Sequence, residues 1–167
     1  MIRRQNMSPT QPPEEATQKG RPMQTLRWGW RLIFSSSLVG WMGLIFHLSA
    51  SPPAELPRQL LEEVAWLGRF RDIVGHLTLY AVLGPLLLST IWSWRASTSY
   101  LLSNALVAVC LGVAYGVLDE YHQSFVPGRS ASALDVLVDS VGVVASVACL
   151  QSVTKVASRR LRNFHVQ

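Results

Sequence analysis

Three long intervals without a formal charge constrain this chain more than any other feature. Between Arg31 and Glu55 lie 23 uncharged residues, between Asp72 and Arg95 lie 22, and between Arg95 and Asp119 lie 23. A helix rises about 1.5 Å per residue, so roughly 20 apolar residues cross the ~30 Å hydrocarbon layer of a bilayer. Each interval is long enough to do so. A fourth apolar segment runs from Leu134 to Val153, with Asp135 and Asp139 near its start. A soluble bundle needs a polar face on every helix, recurring at the helical period. Ile91, Trp92 and the run from Ala105 to Leu111 are instead apolar around the whole circumference. The expected fold is therefore all-α: a polytopic membrane protein, a bundle of four transmembrane helices with spans at about 31–50, 73–94, 100–118 and 134–153.

The ends of the chain have a different character. Residues 1–25 are rich in Pro, Gln, Thr and charge with no apolar period, the composition of a disordered tail, and residues 154–167 form a basic tail. The membrane domain is expected over residues 28–153. The first apolar segment follows basic residues as a secretory signal does, but it is too long for a signal core and Leu48 fits a cleavage site poorly, so a retained anchor is expected. Cys110 and Cys149 fall inside spans, where thiols act as small apolar packing residues and no disulfide is expected.

Orientation follows from the basic residues. Six Lys and Arg lie in the N-terminal segment up to Arg31, one at Arg95 and four from Lys155 onward, against Arg58, Arg69, Arg71 and Arg129 in the two other loops. The bias predicts a plasma-membrane protein with both termini cytoplasmic. Trp28, Trp30, Trp92, Trp94 and Tyr100 gather at the inner span ends as interfacial anchors. A net charge of +5 sitting beside span ends points to anionic membrane lipids as partners, and not to nucleic acid. In the first outer loop, Leu60, Leu61, Val64, Trp66 and Leu67 alternate with Glu62 and Glu63, which predicts a short amphipathic helix lying on the membrane surface.

Eight of the ten acidic residues fall in the outer half of this topology. Asp72, His76 and Tyr80 are spaced by four, so they stack along one face of the second span to a depth of about 12 Å. Gln123 lies four residues after Asp119 and three after Glu120, so the three share a face if the third helix runs that far. Asp135 and Asp139 descend one turn into the fourth span. An ionisable group at that depth costs about 2.5–3.5 kcal/mol on insertion scales, less near the interface, and therefore seeks a partner or water. Between these helices, Pro127 and Gly128 suit a tight turn, and Arg129 after it is placed to fold over Glu120, Asp135 or Asp139, or to hold a phosphate or carboxylate. Interhelical bonding without any ligand is the alternative for each residue taken singly.

The series Asp72, His76 and Tyr80, then Asp119 to Gln123, then Pro127, Gly128 and Arg129, then Asp135, resembles the VanZ-like family of bacterial membrane proteins, whose namesake is a teicoplanin-resistance protein. That family looks like D-K-x-x-H-x-x-x-Y, E-x-x-Q, a P-G-R turn, an Asp, and an Asn-containing helix ending in Gly. Asp72, His76, Tyr80, Glu120, Gln123, Pro127, Gly128, Arg129, Asp135 and Gly142 match it, and Phe46, Ser49 and Ser51 echo it weakly. Ile73 stands where the family has Lys and Asp139 where it has Asn, which makes this site more negative than its relatives'. The resemblance implies a four-helix membrane fold and an association with the response to glycopeptide and lipoglycopeptide antibiotics.

Placement and resemblance together mark Asp72, His76, Tyr80, Glu120, Gln123, Arg129, Asp135 and Asp139 as a binding site. The leading expectation is a cell-envelope protein whose outward site binds a lipid or cell-wall precursor head group, with a link to teicoplanin-type resistance. The alternative is a membrane-embedded hydrolase or transferase acting on a lipid-linked substrate. In it His76 is the general base, Asp72 orients it, Glu120 donates a proton and Arg129 holds a phosphate. Whether any reaction is catalysed stays open. A metal variant of that enzyme would draw on His76 with Asp72, Glu120, His122 or Asp135, a mixed nitrogen and oxygen set suited to zinc or manganese, but the spacing is not diagnostic and no metal or cofactor is expected. Ser89, Asn104 and Ser146 are too sparse for a transport path.

Overall fold

The computed structural model describes residues 21–51, 58–95 and 101–164. Among them the secondary structure is helical: α1 (Arg21–Ala50), α2 (Arg58–Trp94), α3 (Leu101–Gln123) and α4 (Ala133–Phe164). Each contains a stretch long and apolar enough to cross a membrane, Thr25–Ala50, Gly68–Trp94, Leu102–Gln123 and Ala133–Asn163. The helices run alternately up and down. At one end Arg31 of α1 bonds the carbonyl of Ser93 near the end of α2, and at the other Arg129, between α3 and α4, bonds the carbonyls of Leu48 and Ser51 at the end of α1.

The distribution of side chains is the reverse of a soluble domain's. Ser49, Asn104, Asp119, Glu120, Gln123 and Asp139 are buried, while Leu32, Val39, Leu102, Leu118, Leu137 and Val141 are exposed on the outer faces. Water would penalise so much contiguous apolar surface. Hydrocarbon does not, and helices satisfy their backbone groups within it. The chain is a multi-pass membrane protein.

Between lipid-solvated helices there is no hydrophobic drive to associate, so close backbone approach has to supply the packing. Glycine permits it here. The largest interface joins α2 and α4. A Cβ on Gly142 would lie 2.9 Å from the Leu77 carbonyl oxygen and 3.1 Å from the Ala81 nitrogen, and one on Gly84 would meet Ser146 and the Val143 carbonyl. On α3, Gly112 and Gly116 are spaced by four and press on α4 at Val143 and Asp139. Tyr80, Leu83, Leu87 and Leu88 of α2, Ala105 and Ala108 of α3, Val143 and Val147 of α4 and Ile45 of α1 form the apolar core around these contacts.

The helix bounds differ from the expected spans in instructive places. α2 begins at Arg58 and runs unbroken into the second span, so no separate surface helix precedes it, and the side chains of Leu60 to Leu67 lie outside the described residues. At 37 residues it is about 56 Å long, well beyond the hydrocarbon thickness. α3 continues past Leu118 to Gln123, which meets the condition for Asp119, Glu120 and Gln123 to share a face. α4 carries Lys155, Arg159, Arg160 and Arg162 of the basic tail on the same helix. α1 starts at Arg21, and the tail expected over 1–25 otherwise lies outside the described residues, as does Tyr100.

Aromatic and cationic groups lock the end at which α1 begins and α4 finishes. The Arg31 guanidinium sits 4.7 Å from the Trp28 ring centroid and 5.1 Å from that of Trp94, and the two indoles meet edge to face at 6.0 Å. Arg95 donates to Asn104 Oδ1 at 2.7 Å. Charge near helix ends and amphipathic rings are what an interface favours.

Candidate functional site

The opposite end of the bundle gathers the acidic residues. α3 leaves the core at Gln123 and turns at once: Arg129 N–H bonds the Val126 carbonyl at 3.1 Å, with Pro127 and Gly128 between them and Gly128 at φ 81°. That fits a type II turn, which needs positive φ at its third residue, so glycine is required there. Ser132 then caps α4, its hydroxyl accepting from the Leu134 N–H at 3.2 Å. The backbone N–H of Ser132 donates to Glu120 Oε2 at 2.7 Å. In a capping box the acid three residues into the helix makes that second bond. Here Glu120 of α3 makes it instead of Asp135, and so ties the two helices together.

Deeper in, His76 of α2 meets Asp139 of α4. The ring Nδ1–H donates to Asp139 Oδ1 at 3.0 Å; the Asp139 side chain is fully buried and that of His76 is 12% exposed. Asp119 and Glu120 close on this pair, and one ligating atom from each of His76, Asp119, Glu120 and Asp139 lies within 4.8 Å of all the others. Gln123 holds the cluster's flank. Its amide donates to Asp119 Oδ2 at 3.2 Å and to Ser49 Oγ of α1 at 3.3 Å. Tyr80 lies below, wholly buried, its ring 6.3 Å from that of Tyr115. Gly116 makes the convergence possible, because a Cβ there would come within 3.3 Å of Asp139 Oδ2 and 3.4 Å of the Tyr80 ring.

Two buried carboxylate oxygens, Glu120 Oε1 and Asp139 Oδ2, have no hydrogen-bond partner among the described residues, and neither does the buried Tyr80 hydroxyl. Such atoms cost about 1–3 kcal/mol each when left unpaired, so they favour any donor or cation that reaches them.

Two expected members fall outside the cluster. Asp72 is 65% exposed by side chain, and its near neighbour is the equally solvated Arg71 at 3.9 Å. One turn before His76 it is exposed, and the buried Asp139 bonds the imidazole in its place. Among the described residues Arg129 pairs with no carboxylate. Its Nε and Nη2 donate to the Ser51 and Leu48 carbonyls at 2.9 and 3.0 Å, and Nη1 to Gln123 Oε1 at 3.4 Å. The last carbonyls of α1 have no partner within the helix and bear its negative dipole end, so they attract the guanidinium. Asp135 stands half-buried in the first turn of α4, at the positive end of that helix. His122 stacks on Phe46 at 4.3 Å, apart from the cluster. Asp119 completes the cluster without being among the expected binding residues; its place beside Glu120, four before Gln123, is the signal that would have added it.

The model of the VanZ/LLP1 family matches residues 25–154, from the first span through the fourth. No curated protein and no solved structure matches the chain. Four spans in the expected order and a family match that covers them establish that the chain belongs to the VanZ/LLP1 family.

Proposed function

We propose that this protein sits in the bacterial plasma membrane with both termini in the cytoplasm and its acidic end facing outward, where it binds the head group of a lipid or cell-envelope precursor and lowers sensitivity to teicoplanin-type lipoglycopeptides. The observation that carries this reading is the convergence of His76, Asp119, Glu120 and Asp139 at one end of the bundle with buried acceptors unpaired. Bundle-stabilising polar residues have no reason to collect at a single membrane face, whereas a site for an interfacial ligand does. The excess of basic residues at the other end supports the orientation. Unpaired carboxylate oxygens favour donor-bearing groups, the hydroxyls and amines of sugar and amino-acid head groups.

The buried Asp139 oriented on a partly exposed His76 also supports a second reading, a hydrolase of lipid-linked substrates in which the imidazole activates water. Expression in a sensitive Gram-positive host tests the first. The inhibitory concentration of a lipidated glycopeptide should rise while that of a non-lipidated one hardly changes, and Glu120→Gln should abolish the rise at unchanged protein level. Equal response to both drugs contradicts the binding reading.

A further inference from the structure

Three carboxylates and one imidazole within 4.8 Å of one another make an electrostatically unusual interior for four helices in lipid. Among the described residues the nearby guanidinium groups are committed elsewhere: Arg129 to the end of α1, and Arg71 to the exposed Asp72. Neutral donors from Gln123 and the Ser132 backbone reach one oxygen each of Asp119 and Glu120. Glu120 is 4% exposed and Asp139 0%, yet Glu120 Oε1 and Asp139 Oδ2 have no partner. Acidic residues crowd in many proteins without binding anything. Two carboxylates more than nine-tenths buried, each with an unpaired oxygen and, among the described residues, with no Lys or Arg paired to them, are a different observation, and they call for a positive ligand beyond the His76 imidazole.

We propose that His76, Asp119, Glu120 and Asp139 bind a divalent transition-metal ion of the zinc or manganese type. One imidazole nitrogen with carboxylate oxygens is a donor set that suits these ions, whereas calcium takes oxygens alone. The dimensions fit. With bonds of about 2.1 Å, a tetrahedral zinc places its donors about 3.4 Å apart, and an octahedral ion such as manganese places adjacent donors about 3.0 Å and opposite donors about 4.2 Å apart. The His76 Nδ1 to Asp139 Oδ1 distance is 3.0 Å, close to one such edge, and one donor atom from each of the four residues lies within 4.8 Å of the others, so small side-chain adjustments bring them to coordination distance. The ion takes the place of the Nδ1 proton now shared by His76 and Asp139, and the ligating imidazole is neutral with its remaining proton on Nε2. Gln123, holding Asp119, and the Ser132 N–H, holding Glu120, serve as the outer hydrogen bonds that fix ligand orientation.

Four protein donors would fill a tetrahedral zinc but leave positions open on a six-coordinate ion such as manganese. Through them the site would accept an anionic oxygen such as a head-group phosphate, despite its acidic walls. Metal binding itself does not rest on the head-group reading.

The full chain, purified in detergent and stripped with chelator, is titrated with zinc or manganese alone and followed by elemental analysis and thermal unfolding. The site predicts about one ion retained per chain after desalting and a midpoint that rises with ion concentration. Asp119→Asn and Glu120→Gln should each weaken retention by at least about tenfold, and Asp72→Asn should leave it unchanged. Wild-type protein that retains no stoichiometric ion and shows no midpoint response overturns the proposal, with no variant required. Retention undiminished in both carboxamide variants overturns it too. Drug susceptibility is read separately, so loss of the metal site and loss of the head-group reading are distinguishable.

Discussion

Replacing Gly142 by Ala tests how the helices are held together. The new methyl carbon would lie 2.9 Å from the Leu77 carbonyl oxygen, 3.1 Å from the Ala81 nitrogen and 3.3 Å from the Tyr80 Cβ. Two of the three are backbone atoms of α2 and cannot rotate away, so α2 and α4 must separate by a few tenths of an ångström along their main interface. Overpacking of this kind costs about 1–3 kcal/mol, while the greater helix propensity of Ala returns about 0.8–1.0 kcal/mol. The same substitution at Gly43 of α1, where nothing lies within 4 Å, carries the propensity gain alone. The difference between the two variants cancels propensity and isolates the steric cost, about 1–3 kcal/mol. For a chain of this size that corresponds to midpoints about 2–12 °C apart in detergent unfolding, with Gly142→Ala the lower. Equal midpoints for the two variants would refute close glycine packing between α2 and α4.

Two further substitutions separate the cluster from its surroundings. Arg129→Lys keeps the charge but loses the planar fork, and one ammonium cannot reach Leu48, Ser51 and Gln123 together. It should cost about 1–2 kcal/mol and speed amide exchange in the last turn of α1, and unchanged exchange there would remove Arg129 as a cap. Asp72→Asn, at a solvated position, should alter unfolding by no more than about 0.5 kcal/mol and leave drug susceptibility as it was. A loss of susceptibility change in that variant would return Asp72 to the site.

The fold is legible in the sequence because the cost of burying charge in lipid is large and depends little on context. Uncharged intervals of 22 and 23 residues therefore mark spans directly. Helix ends are less legible. α2 extends back to Arg58 because an amphipathic pattern leading into an apolar one is compatible with one helix or two, and local periodicity does not distinguish them. Within the site, spacing by four correctly puts His76 and Tyr80 on one face, and Asp119, Glu120 and Gln123 on another. The partner of His76 is decided across the α2 and α4 interface, where depth favours Asp139 over the nearer but solvated Asp72. Arg129 shows the sharper limit. Its acceptors are backbone carbonyls, which every residue has and no sequence distinguishes. Gly112 and Gly116, by contrast, carry their spacing of four openly, and that small-residue pattern marks the face on which α4 rests.

The central claim is that α2 and α4 bring His76 and Asp139 into direct contact inside the bundle. A double-mutant cycle between His76→Ala and Asp139→Ala, measured by reversible unfolding in detergent, addresses it most directly. The contact predicts a coupling energy of about 1–3 kcal/mol, with the double variant losing less stability than the two single losses added together. Simple additivity, within about 0.3 kcal/mol, would mean that the two side chains do not meet.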